Sequence, residues 1–269
     1  MGETQRDQGQ DTRGGAETRV LRIAAVGDFH CGGHGHGPDL TDLFGDASRN
    51  ADVLLLLGDM TTHGEPDQAR EFTRYLTGVE IPMLAVLGNH DHETDQPDAV
   101  CGVLQEAGVR VLDGDAVEID GVGFAGTKGF GGGFGRHSLG TFGERETKAF
   151  VDAAVAEELK LERALSELRT DTRVVLLHYS PVDGTMGDEP PQIWPFLGSS
   201  RLLTPIENYQ ATVVFHGHAH IGAPEARTPA GIPVYNVALP LLEKSGLRYR
   251  LWTTPAPERR AAREKLADS

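Results

Sequence analysis

Three short runs constrain this chain more than any other feature. "LRIAAV" (21–26), "VLLLL" (53–57) and "MLAVL" (83–87) are almost continuously apolar, the pattern of strands in a sheet covered on both faces. Between them lie "PDLTDLFGDASRNA" (38–51) and "PDQAREFTRYLTG" (66–78), with apolar residues at helical spacing and proline near the start. This alternation predicts a βαβαβ opening of parallel strands joined by right-handed crossovers. The apolar runs are strand-sized, far short of the roughly 20 residues that span a bilayer.

The second half is built differently. "AVEID" and "VGFAG" flank Gly121 as an antiparallel pair, and residues 144–168 form one long helix of mixed charge. "RVVLL" (173–177), "TVVF" (212–215), "IPVYNV" (232–237) and "LRYRLW" (247–252) follow as strands. The simplest arrangement that buries so many apolar strands is an α/β chain of two packed sheets with helices outside. At 269 residues, 39% of them hydrophobic and 24% charged, the chain is long enough for one sizeable core, since single cores stop growing at roughly 250 to 300 residues. We therefore expect a polar, disordered arm over 1–19, a single domain over 20–253 and a tail over 254–269. No apolar stretch precedes residue 20, so a cytoplasmic location is expected. Lys and Arg number 25 against 40 Asp and Glu, a formal charge of −15 that disfavours nucleic acid and anionic membrane and favours a small substrate. Cys31 and Cys101 are too few for a disulfide framework; Cys31 follows His30 directly, close to the candidate site.

The chemistry-bearing residues share one kind of position. "GDFH", "GDM", "GNHD", "HYSP" and "HGHAH" each follow a predicted strand, and in α/β sheets the carboxyl ends of the strands form the binding crevice. Five polar loops therefore converge. Asp28 and His30 alternate about Phe29, and His218 and His220 about Ala219, so each pair points to one side of an extended loop. Asp59, Asn89 and His178 complete a set of two carboxylates, four imidazoles and one amide, more than one ion can use. Two divalent ions sharing the Asp59 carboxylate account for it, an arrangement suited to in-line displacement at phosphorus. Mixed nitrogen and oxygen donors without thiolate point to Mn, Fe, Zn or Co.

The ordered motifs D-x-H, G-D, G-N-H-D, H and G-H-x-H, spanning residues 27–220, resemble the calcineurin-like metallophosphoesterases. The resemblance implies a four-layer α-β-β-α sandwich with two mixed β-sheets. It implies one ion on Asp28, His30, Asp59 and His220, and a second on Asp59, Asn89, His178 and His218. It also places His90 against the substrate as proton donor or charge stabiliser, with Asp91 orienting it, and implies in-line attack on phosphorus by a metal-bridging hydroxide.

Departures from the family pattern narrow the substrate. Ser/Thr protein phosphatases of the superfamily carry G-D-x-x-D-R-G and G-N-H-E, whereas this chain reads "GDMTTHG" and "GNHDHETDQ". It is more similar to the small bacterial and archaeal phosphodiesterase branch, which includes cyclic-nucleotide phosphodiesterases, so the expected activity is a phosphodiesterase acting on a small phosphoester. A phosphomonoesterase, a nuclease and a metal-binding scaffold without turnover are the alternatives. Asn89 and His90 are expected to touch substrate. His34 and His36, in "GGHGHG", either reach the pocket mouth or lie in a solvated loop, and His216 is expected to be buried behind the ligands. "GTKGFGGGFGRHS" (126–138) lacks the G-K-[ST] of a P-loop; it is either a mobile loop bringing Lys128, Arg136 or His137 to substrate, or a surface turn. Residues 180–201 form a long segment without periodicity, in which Trp194 and Phe196 either stack on a base or pin the loop, the second being favoured.

Overall fold

The computed structural model describes residues 20–32 and 40–254. The opening folds as its apolar spacing predicts: β1 (Arg22–Val26), α1 (Thr41–Asn50), β2 (Val53–Leu57), α2 (Pro66–Tyr75) and β3 (Met83–Val86), extended by α3 (Pro97–Glu106) and β4 (Val109–Val111). The next strands, β5 (Asp115–Ile119) and β6 (Val122–Gly126), pair antiparallel. Asp120 (φ 49°) and Gly121 (φ 79°) join them, the doubly positive-φ two-residue turn that an Asp-Gly pair favours. The long helix α4 spans Arg145–Glu167, followed by β7 (Thr172–Leu176), the short helices α5 (Trp194–Leu197) and α6 (Leu203–Asn208), β8 (Val213–His216), β9 (Glu225–Arg227), β10 (Pro233–Asn236), α7 (Leu239–Lys244) and β11 (Arg250–Thr253).

These strands form two mixed sheets. The first has the order β11-β1-β2-β3-β4, the second β5-β6-β7-β8-β10-β9. β1 to β4 run parallel and β11 antiparallel to β1; in the second sheet β6, β7, β8 and β10 run parallel between antiparallel edges. Side-chain alternation along the second sheet explains the layers. Phe124, Val174, Leu176, Val213 and Phe215 join the cluster containing every residue of β1 and β2 save Arg22. Their neighbours Ala125, Val175, Leu177 and Val214 pack instead with Leu161, Ala164 and Leu165 of α4 and Ile206 of α6. Sheet faces sheet, and helices cover both outer faces, giving the four-layer α-β-β-α sandwich.

On the other outer face, Phe44 of α1 and Phe72 of α2 pack at 5.8 Å between ring centroids, and Phe29 lies 4.9 Å from Phe72. Burying a side chain of this size contributes about 1.5–3 kcal/mol, which ties the first helices to the sheet whose ends carry the site. Leu21–Thr254 forms one compact unit. The arm over 1–19, the tail beyond Thr254, His34 and His36 lie outside the described residues. Among the described residues, no helix is long and apolar enough to cross a membrane.

Candidate metal centre

β1, β2 and β3 are neighbours in the first sheet and β7 and β8 in the second, so the loops at their carboxyl ends meet. Backbone hydrogen bonds knit them together. Asp28 N donates to Gly58 O (2.9 Å), Phe29 N and His30 N donate to Asp59 O (2.9 and 3.0 Å), and Gly217 N donates to His178 O (3.2 Å). Gly27 N donates to Val237 O (3.0 Å), joining the end of β1 to the segment after β10. Asp28 (φ 64°), His30 (φ 48°), Asp59 (φ 51°) and His218 (φ 72°) all adopt left-handed backbone. They are four of the seven non-glycine residues that do so among the described residues. Such conformations cost of order 1–3 kcal/mol each and concentrate where a site requires them.

The side chains fall into three potential metal-ligating groups: Asp28, His30 and His220; His30, Asp59 and His90; and Asp59, His178 and His218. His220 Nε2 lies 2.9 Å from Asp28 Oδ1 and 3.4 Å from His30 Nε2. His178 Nε2 lies 2.9 Å from Asn89 Oδ1 and 3.4 Å from Asp59 Oδ2, and His30 Nε2 lies 3.8 Å from that same oxygen. All seven expected ligands thus come together. Asp59 Oδ1 accepts from His90 N at 2.9 Å, whereas Asp59 Oδ2 is buried with no hydrogen-bond partner. Without metal, this oxygen meets only the His178 ring at 3.4 Å and the His30 ring at 3.8 Å, neither forming a hydrogen bond with it, so a bound cation would satisfy it better. The glycine before Asn89 gives a second sign: a Cβ on Gly88 would lie 2.1 Å from Asp59 Oδ1, so only glycine lets that carboxylate lie against the β3 loop. Oxygen and imidazole donors with a bare, buried carboxylate oxygen fit divalent metal.

Surrounding groups orient the ligands. His178 Nδ1 donates to Leu57 O (2.8 Å), which leaves Nε2 to face the site. Burial opposes charge on this ring, but the adjacent Asp59 outweighs it and raises His178 to about 9. Burial likewise works against the Asp59 carboxylate, and the His178 charge overrides it, holding Asp59 well below the usual carboxylate range. Burial, and then the His178 charge, pushes His218 down to about 3, so its ring is neutral and able to accept a cation. His216 is wholly buried, with Nδ1 donating to Gly217 O (2.7 Å) and Nε2 2.9 Å from Thr185 Oγ1. It lies behind the ligands as expected and also anchors the 183–185 turn.

Asp91 requires a correction. It does not orient His90: the His90 ring is held by its Nδ1 donating to Thr62 O at 2.7 Å. The fully buried Asp91 carboxylate instead accepts from Thr61 N (2.9 Å), Thr61 Oγ1 (2.8 Å) and Gly88 N (2.9 Å). It fastens the loop after β2 to the loop after β3. Burial and the Asp59 charge raise it to about 6 against those donors. Cys31 is buried, and burial pushes its thiol up to about 12.

The two irregular segments interlock. Gly132 N donates to Pro195 O (2.6 Å), Gly133 N to Gly198 O (2.9 Å) and Gly135 N to Ser200 Oγ (2.7 Å), so residues 126–138 are pinned in place. Arg136 and His137 are exposed, with Arg136 Nε 3.1 Å from His137 Nε2. Neither lines the cavity beside Asn89 and His218. Lys128 turns its ammonium over the rings of Phe130 and Tyr179, 4.9 and 5.1 Å from the centroids. Trp194 pins its segment, donating from Nε1 to Glu189 O at 2.8 Å, but Phe196 is 59% exposed and lines the cavity. Sequence reasoning missed Phe130, Phe150 and Tyr179 at this cavity. The only signal was the aromatic residues bracketed by glycines at 129–135 and the tyrosine directly after His178.

The family described as calcineurin-like phosphoesterase matches residues 21–222. No curated protein matches the chain in sequence. Among solved structures, the chain is similar to phosphopantetheinyl hydrolase (PptH) from Mycobacterium tuberculosis, with a TM-score of 0.63 at 15% identity over 89% of this chain and 97% of that one. It is also similar to the protein TT1561 of Thermus thermophilus, with a TM-score of 0.54 at 18% identity over 88% and 100%. A putative 5'-nucleotidase from Staphylococcus aureus gives a TM-score of 0.51 at 13% identity over 81% and 48%. At these identities the likenesses bear on the fold alone.

Proposed function

The chain belongs to the calcineurin-like phosphoesterase family, and from that premise we propose that this metal-dependent phosphoesterase is a phosphodiesterase of small substrates, cyclic nucleotides among the candidates. The observation that carries the reading is the Asp59 carboxylate. Its Oδ2 is buried, unpartnered and close to imidazoles from both flanking groups, as a shared ligand would be. Asp28, His30, Asp59 and His220 would hold one divalent ion, and Asp59, Asn89, His178 and His218 the other. When bound, such a pair supplies positive charge that neutralises phosphoryl oxygens and acidifies water near neutral pH.

The chain's own residues do the rest. With Nδ1 donating to Thr62 O, His90 has Nε2 left for substrate, to protonate a departing oxygen or donate to a phosphoryl oxygen. Leu57 O and Phe196 O fix the rings of His178 and His218 through one nitrogen each, leaving the other for the ion. The net charge of −15 favours a singly charged diester over a monoester dianion.

The test uses metal-stripped protein refilled with Mn and compares bis-p-nitrophenyl phosphate with p-nitrophenyl phosphate for wild type, His90→Ala and Asp59→Asn, with metal content measured alongside. We expect turnover of the diester at least about 10-fold above the monoester, falling by about 100-fold or more in both variants. Asp59→Asn should also lose metal, and His90→Ala should keep it. Faster monoester turnover would replace the diesterase reading, and no turnover with both ions bound would leave only a binding role.

A further inference from the structure

Beside the metal-ligating residues opens a cavity of about 360 Å³ that the chemistry at phosphorus does not use. Asn89 and His218 form its inner edge, and Phe130, Phe150, Tyr179, Ile193, Phe196 and Leu197 supply its apolar wall. The rings form a continuous series: Phe196 to Phe150 at 6.0 Å, Phe150 to Phe130 at 4.9 Å, Phe130 to Tyr179 at 5.8 Å and Tyr179 to His218 at 4.5 Å between centroids. Among the described residues, no Asp, Glu, Lys or Arg lines it.

Resting on the phosphoesterase reading, we infer that this cavity is the subsite for a neutral, planar aromatic group carried by the substrate's phosphoester. Its volume lies within the range of small-ligand sites. A charged or heavily hydroxylated group placed there would lose water without finding partners, whereas a flat ring meets ring faces and edges. Phe196 and Ile193 are 59% and 39% exposed, so large apolar surface faces solvent beside the ligands, as at a binding site. The wall is also rigid. A Cβ on Gly131 would lie 2.4 Å from Pro195 O, which shows how closely the two wall segments approach, and Gly132 N bonds to that same oxygen. The wall and the metal-ligating groups are coupled directly, because His218 Nε2 donates to Phe196 O at 3.1 Å. An aromatic group in the cavity would therefore lie against two residues that also face the ions.

Two measurements on wild type and Phe196→Ala test this. Phe196 is mostly exposed, and its carbonyl contact to His218 survives the substitution, so the variant is expected to fold. In Mn-loaded protein, phenylphosphonate and methylphosphonate are compared as competitive inhibitors of bis-p-nitrophenyl phosphate hydrolysis. We expect phenylphosphonate to inhibit at least about 10-fold more tightly than methylphosphonate, and the ratio to fall about fivefold or more in Phe196→Ala. Equal inhibition by both, or a ratio indifferent to Phe196, overturns the subsite and leaves the phosphoesterase reading standing. If the diester is not hydrolysed, that reading fails, and the subsite is then judged by ligand-observed NMR of indole with metal-stripped protein. Indole binding that Phe196→Ala weakens about fivefold supports the subsite, and no binding overturns it.

Discussion

Gly88 lies against the Asp59 carboxylate, and Asp91 holds the loops on which Gly88 and Asp59 stand. A Cβ on Gly88 would fall 2.1 Å from Asp59 Oδ1, so Gly88→Ala must push the shared carboxylate aside. A displacement near 1 Å is enough to cost about 100-fold; we expect Gly88→Ala to fold but to lose metal and at least that much kcat/KM, read by elemental analysis and diester turnover. Asp91 collects three donors from Thr61 and Gly88. In Asp91→Asn one oxygen must serve them all, and each buried donor left unpaired costs about 1–3 kcal/mol. A denaturant titration should show a loss of that size, and metal affinity should drop by about 10-fold, as when ligand supports are removed. The convergence of the candidate ligands was legible because metal chemistry demands particular residue types at strand ends, and those residues do come together. The role of Asp91 was not, because its place in "GNHD" set it beside His90 in sequence, while the turn over His90–His92 directs its carboxylate inward. Arg136 and His137 looked like phosphate binders for their chemistry alone, and nothing in their local sequence showed that they face solvent.

Among the elements, β1, β2, β3, β7 and β8 were legible because strands buried on both faces leave unbroken apolar runs. β4 and β9, at three residues each, are too short for any periodicity to register, and β11 begins three residues later than its apolar pattern suggested, at Arg250. The helix expected over 144–168 forms over Arg145–Glu167. What its pattern hid is Glu157, a buried charge on the face that packs against the second sheet. Glu157 accepts from Thr127 Oγ1, from Gly129 N (2.9 Å) and from Lys160 Nζ (2.8 Å), tying the glycine-rich segment to the helix. That segment read as mobile because glycine is permissive, yet its backbone groups are spent on residues 195–200 and on Glu157. Glu157→Ala strands the Gly129 N–H and the Thr127 hydroxyl; we expect a stability loss of about 1–3 kcal/mol, measured by thermal or chemical unfolding.

For the whole molecule, the site draws on both sheets. Asp28, His30, Asp59 and Asn89 follow strands of the first sheet, and His178, His218 and His220 follow strands of the second. Any ion held between Asp28 and His220, or between Asp59 and His178, would therefore join the two layers at one end of the sandwich. The buried carboxylates of Asp28, Asp59 and Asp91 at that end, in a chain of net charge −15, also leave a concentration of negative charge that cations relieve. Metal that binds only the folded chain must raise its stability by mass action, about 2.7 kcal/mol at a hundredfold excess over Kd. For a domain of this size that corresponds to roughly 5–10 °C in Tm. Adding Mn to metal-stripped wild type should produce a rise of this order, and the same addition to Asp59→Asn, which lacks the shared carboxylate, should produce less than half of it. An equal rise in both proteins would place the stabilising metal elsewhere, and the two sheets would then be joined by their packed side chains alone.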